Sequence, residues 1–302
     1  MLYKDWAEEK TTLHLLSQIL GKYQLELEHK APQWEHVILD ITTQGVSTGL
    51  LSCDGKAFSI ALNLVHHRLE IVTKEKEEFI DLKNGRTVKD YYLTLKQILE
   101  NEGIDIPINT VPQEMESTIP FEEDTEHHHY SEQVSEQALG YFQFAYEVEK
   151  SFLNPFRARR IKPGLFWGTF DVSGALVYNR HEPFEDDSKV IERAAFDEHM
   201  IEFGFWLGDD TFKGPTFFVL AYPFPTSAFE CGPSFPESSY FDTEMGEFIL
   251  QLENGGGAPT AADITTFFDE SYHLLKDYLE WENCDHYHIG LKMRENFKDA
   301  GR

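Results

Sequence analysis

The sequence predicts an α+β protein: two similar halves, each a mostly antiparallel sheet flanked by helices, packed as one compact unit. Three observations carry this. Helical apolar stripes at the start of each half give way to runs that alternate apolar with polar residues at period two, and a second helical stripe closes each half. Turn signals such as GKA and KNG separate the runs. A hydrophobic content of 41%, with 14% aromatic, is ample for a packed core in 302 residues.

The elements follow in order. A first helix is expected over 6–20, where Leu13, Leu16 and Leu20 share one face. Strands are then expected at KYQLELEH from Lys22, HVILDITTQG from His36, FSIALNLV from Phe58, RLEIVT from Arg68 and EEFIDL from Glu77. A helix over 87–102 presents Tyr91, Leu95 and Leu99 on one face, with Gly103 just past its end as a cap, and completes the half 1–103. Residues 104–130 contain proline, are strongly acidic and keep no period, which makes them a connector. The pattern then returns in 131–282. A helix over 132–153 buries Ala138, Phe142 and Ala145, and strands are expected at Leu165, Ala175, Met200, Thr216 and Glu247. The closing helix, over 261–280, opens on Thr260 and Asp263, a capping-box pair, and 283–302 is left as a tail.

Fifty-three acids against 26 bases give a net charge of −27, a field that repels phosphate backbones and anionic membranes. Neither nucleic acid nor membrane is an expected partner. The longest apolar runs, such as FFVLAY from Phe217, fall far short of the roughly 18 to 20 residues needed to span a bilayer. No basic-then-apolar secretory signal opens the chain, and Cys53, Cys231 and Cys284 are too few and too scattered for a disulfide framework. A cytoplasmic location is expected. Within FRARRIKPG, Arg157 and Arg159 are candidates for gripping an anion, or for pairing with the chain's own surplus acids.

Several strings lie in order along most of the chain: LHLLSQILGK from Leu13, WEHV from Trp34, HRL from His67, PFEEDTEH from Pro120, FWGTFD from Phe166, EHMIEFGFWLG from Glu198, AYPFP from Ala221 and GEF from Gly246. Together they resemble DUF5996, a bacterial family of unknown function. The resemblance implies one recurrent architecture and carries no activity. The chain also departs from the pattern: KPGL precedes Phe166 where relatives read Ser-Pro-Val-His, and Ala175 and Leu176 stand where they carry Thr-Arg.

Candidate site residues fall into groups. His14, Gln18 and Lys22 lie four apart and form one polar stripe on the first helix, either lining a pocket or facing solvent. Trp34 and His36 share a strand face by period two and could grip a small ligand, though a core indole explains Trp34 as well. Asp171 ends an aromatic strand beside Trp167, where a carboxyl has a raised pKa unless paired; a turn-capping role is the alternative. His199 is the candidate general base, with Glu202, Asp171 or Glu247 as partner, because its neighbour Glu198 points to the opposite face. Trp206 and Tyr222 extend the aromatic set. No catalytic elbow, phosphate loop or dinucleotide fingerprint occurs, and no cofactor is expected. Cys284, His286 and His288 share a face if extended, but no fourth zinc ligand is evident, so no metal site is assigned.

The cluster EEDTEHHHY places three histidines from His127 behind four acids. Neither strand nor helix aims all three at one ion. Only His127, with Asp124, stands out, as an anchor for the connector. The leading functional expectation is a small molecule held in an aromatic pocket between the halves and closed by the proline-rich loop from Pro223 to Met245. The alternatives are a hydrolase using His199 with a carboxylate, and an acidic interaction module with no pocket. Oligomeric state is not legible.

Overall fold

The computed structural model describes residues 2–252 and 258–290. Helix α1 runs Ala7–Leu27 and is buried along nearly its whole middle. It passes straight through the segment where a strand was expected from Lys22. Six alternating residues fit either period. Here Tyr23 continues the buried stripe of Leu16 and Leu20, and Gln24 donates to the Ile38 carbonyl at 3.0 Å, so packing prolongs the helix.

Residues Pro32–Val37 form a 3-10 turn rather than a strand, with Gln33 and Trp34 at φ of 51° and 55°. Short strands β1 (Asp40–Ile41), β2 (Gly45–Ser47) and β3 (Leu51–Cys53) lead into β4 (Lys56–Asn63), β5 (Arg68–Thr73) and β6 (Glu77–Asp81). The sheet is antiparallel in the order β1-β2-β4-β5-β6, with β3 also pairing β4. Helix α2 (Val88–Asn101) begins in a complete capping box from Thr87 to Asp90 and ends before Gly103 at φ +68°.

The connector docks back on α2 through Asp124, which is fully buried. Its carboxylate accepts from the backbone of Glu126 and His127 at 3.1 Å and from His127 Nδ1 at 2.8 Å. The carbonyls of Asp124 and His127 in turn accept from Lys89 and Val88 at the helix start. The hydrogen bond to Asp124 raises the pKa of His127, against the opposing effect of burial. His128 and His129 sit apart from this pair, on the Glu126 carbonyl and on Glu8.

Helix α3 (Glu132–Leu153) leads into β7 (Arg159–Phe166) and β8 (Asp171–His181), and a short helix α4 (Val190–Ala195) intervenes before β9 (Glu198–Trp206) and β10 (Thr216–Tyr222). Strand β11 (Ser239–Asp242), inside the proline-rich loop, forms the sheet edge, and β12 (Glu247–Gln251) returns beside β10. The second sheet is antiparallel, in the order β11-β12-β10-β9-β8-β7. Leu39 and Leu165 exchange backbone bonds at 3.0 Å in both directions, joining the edges of the two sheets at β1 and β7. Helix α5 (Ala261–Tyr278) starts in its capping box at Thr260 and packs with α3 on one face of the second sheet. One apolar cluster runs through both halves, from Leu16 and Leu62 to Phe203 and Phe267. The end of the tail, 291–302, lies outside the described residues.

Candidate functional site

The two faces of the second sheet differ in chemistry. Toward α3 and α5, Phe203, Phe205, Phe217 and Phe248 make a dry aromatic layer with Phe152 and Phe268. Period two sends their neighbours the other way. Asp171, Ser173 and Ala175 on β8, Glu202 and Trp206 on β9, Phe218 on β10 and Glu247 on β12 line a cavity of about 640 Å³. The 3-10 turn contributes Trp34, α4 contributes Ile191, and the connector contributes Glu114. The Trp34 indole donates to the Ile191 carbonyl at 2.9 Å, tying turn and helix together over the cavity.

Register brings the acids onto one floor. Asp171 pairs with Trp206 across β8 and β9, Ser173 with Gly204, and Ala175 with Glu202. At Gly204 an added Cβ would stand 2.2 Å from the Phe218 ring, so only glycine lets that ring lie flat over β9. Burial raises Asp171 to about 6 against the relief of the Thr169 hydroxyl donating to it. Glu202 is raised to about 8 by burial and then by the Asp171 charge, and Glu247 to about 7 by burial, Asp171 and Asp242. The side chains of Glu202 and Glu247 keep some exposed area. Both line the cavity.

Ser173 is fully buried beside Asp171 and Glu202. It eases the charge of both, yet its hydroxyl meets no partner in true hydrogen-bond geometry. The indole nitrogens of Trp167 and Trp206 are likewise buried and unpartnered. Behind the sheet, Glu149 of α3 is fully buried with neither carboxyl oxygen bonded, and its pKa is raised well above the ordinary value.

The stripe on α1 is buried and braces the cavity wall. His14 Nε2 donates to the carbonyls of Trp167 and Gly168 at 3.0 and 2.9 Å, and burial holds its pKa down to about 4, so the ring is neutral. Gln18 exchanges two bonds with the Gln113 backbone, at 2.7 and 3.0 Å, and Lys22 donates to the Gln113 side chain at 3.0 Å. Lys10, one more step of four along the same stripe, lines the cavity itself and gives its ammonium to the Gly208 carbonyl at 2.7 Å. The spacing that singled out His14 also pointed to Lys10.

Of the other expected residues, Trp34, Trp167 and Trp206 line the cavity. His36 does not: its Nδ1 accepts from the Ala31 backbone at 3.1 Å, and its pairing with Trp34 comes from the turn, where the rings stand 5.5 Å apart, not from a strand. Tyr222 stands behind the wall, 5.3 Å from Phe196 ring to ring. His199 faces away from Asp171 and Glu202, since Met200 and Glu202 hold the cavity parity of β9. Its closest carboxylate is Glu182, at 3.6 Å, and both ring nitrogens lack a hydrogen bond. Arg157 donates to the Ile289 carbonyl at 2.8 Å, and Arg159 is paired with Glu198 and Gln33. The loop 223–245 does not cover the cavity with its aromatics. Phe229 and Phe235 pack on Phe248, the α5 side, and only Met245 reaches the cavity. Among the described residues no group of three His, Cys, Asp or Glu side chains is placed to hold a metal ion, and His288 of the tail meets Phe156 edge to face.

Fold and site define an α+β protein with paired antiparallel sheets and one acid-floored, aromatic-walled cavity. The chain belongs to the family of unknown function DUF5996, whose model matches residues 1–286. No curated protein and no solved structure matches it. Among the described residues no helix is long and apolar enough to cross a membrane.

Proposed function

We propose that the protein binds a small organic molecule in the cavity over β8, β9, β10 and β12. One observation carries the reading: a cavity of about 640 Å³ whose wall joins the rings of Trp34, Trp206 and Phe218 to buried polar groups with no partner of their own. That is the size and composition of small-molecule sites, which are apolar clefts with a few placed polar groups. The hydrolase reading, built on His199, is less supported: Asp171, Glu202 and Glu247 face the other side of the sheet, and the carboxylate beside His199 is Glu182, at 3.6 Å, outside the cavity lining. We take the protein as cytoplasmic, a reading supported by its three free thiols.

The test is a fragment screen read by tryptophan fluorescence, repeated on Ala175→Trp, which fills the cavity floor. Hits that shift the emission of the natural protein and are lost in the variant, with far-ultraviolet circular dichroism unchanged, are the expected outcome. Hits that bind the filled variant equally well place binding elsewhere and sink the reading.

A further inference from the structure

The acids on the cavity floor have no countercharge among the described residues. Among the described residues no lysine, arginine or histidine forms an ion pair with Asp171, Glu202 or Glu247. Lys10 shares the cavity, but its ammonium is committed to Gly208 and its field falls on Asp209 and Asp210. Lys22 is turned to Gln113 and lies 5.7 Å from the Trp167 ring, outside the three-acid floor. Unpaired buried charge is costly, so such a carboxyl either stays protonated or, where a cavity opens on it, takes a compensating charge from outside.

A second, independent observation marks the same place. Ser173 is fully buried, alternates with Asp171 and Ala175 toward the cavity, and its hydroxyl is unpartnered. Around these groups stand aromatic rings: Trp34, Phe166, Phe196, Trp206 and Phe218. Ring faces carry negative quadrupole density and attract cations, most strongly in desolvated settings. Carboxylates beneath and aromatic rings around are the two features that recognise an organic ammonium. An anionic ligand would meet the acids at close range, and a neutral one would leave them uncompensated.

We propose that the cavity takes a small organic cation, an ammonium on an apolar or aromatic body, with Asp171, Glu202 and Glu247 as its counter-ions and the indoles of Trp34 and Trp206 against its apolar part. This rests on the small-molecule reading above. Binding is proton-linked: the cation displaces protons that the floor holds near neutrality, so affinity rises with pH across the range from about 6 to about 8.

The experiment is calorimetric titration of the full chain with phenethylamine, with phenethyl alcohol as its neutral counterpart and phenylacetate as its anionic one. Each titration is run at both ends of that pH range and in buffers of differing ionisation enthalpy. The amine should bind about tenfold or more tighter than the alcohol, strengthen as pH rises and release protons. Asp171→Asn combined with Glu202→Gln should bring the amine down to the level of the alcohol while leaving the alcohol unchanged, a pattern that loss of folding cannot produce. Alcohol binding equal to or tighter than amine binding, in the natural protein, overturns the cation proposal and leaves the small-molecule reading standing. Tighter binding of phenylacetate does the same. If none of the three binds at millimolar concentration and Ala175→Trp retains every fragment hit, both readings fall together.

Discussion

Glu247→Gln isolates the cost of one floor acid. Glutamine keeps the shape of a protonated glutamate and cannot ionise. In the natural protein, burial first and the charges of Asp171 and Asp242 second push the Glu247 carboxyl from its ordinary 4.5 up to about 7. The folded state therefore keeps this proton while the unfolded chain has lost it, and stability falls as pH rises from about 4.5 to about 7, with the full penalty present above that. Each tenfold step in acidity is worth about 1.4 kcal/mol, so the penalty is about 3 kcal/mol as a ceiling, less whatever cavity water relieves. The variant should match the natural protein near the acid end and exceed it by about 1–3 kcal/mol at mildly alkaline pH. Urea denaturation at a series of pH values reads this directly, and the opposite titration of His14 cancels because both proteins share it. A stability difference that stays flat across the range, or narrows as pH rises, refutes the claim that the floor is enclosed and uncompensated.

Three further outcomes are expected. Gly21→Ala should destabilise by about 1–3 kcal/mol by overpacking, because the new Cβ would stand 2.1 Å from the Trp167 ring; a gain of about 1 kcal/mol in thermal denaturation, as helix propensity alone gives, would show that Trp167 yields freely. Asp124→Ala removes the acceptor of three hydrogen bonds and should cost about 3 kcal/mol. It should also open 104–130 to limited proteolysis, and a digestion pattern identical to the natural protein's would deny Asp124 its anchoring role. Glu149→Met should stabilise the protein at neutral pH, by about 1–4 kcal/mol, because neither oxygen of that carboxyl has a partner to lose; destabilisation of similar size in chemical denaturation would reveal a bond to this group.

Three of the main helices were legible because their signals are local. Thr87 with Asp90 and Thr260 with Asp263 each form the reciprocal cap their spacing announces, and α3 spans 132–153 as its stripe requires. The end of α1 was not, since KYQLELEH fits both periods and only burial of Tyr23 decides between them. The turn at Trp34 was hidden for another reason. Two consecutive non-glycine residues at positive φ have no sequence signature, and they are held from outside by Gln33 bonding to Asp197 and Trp34 to Ile191. For the site, the indoles and Asp171 were recognisable as types. Glu202 was expected as a partner of His199, yet three positions apart on β9 the two point to opposite faces. Which parity faces the cavity was not readable, because both faces of that strand are rich in apolar residues, and Glu247 joins the floor only through pairing of β12 with β10.

Glu149 and the floor acids supply an internal contrast that bears on function. All are enclosed carboxyls with raised pKa and, among the described residues, no ion-pair partner, but Glu149 lies behind the sheet in the packed layer and does not line this cavity. Its only route to low energy is to stay protonated; burial is the first cause of its raised pKa and the charges of Asp171 and Glu202 come after, so a ligand that compensates the floor should leave most of its pH response in place. Asp171, Glu202 and Glu247 have a second route, since the space above them admits a compensating charge. A saturating ammonium should therefore abolish the stability that Glu247→Gln gains at alkaline pH, because the ionised glutamate is then paired, while leaving most of the gain from Glu149→Met, whose first cause is burial. Equal loss of both gains would mean that the ligand acts on the fold as a whole and not on the floor of the cavity.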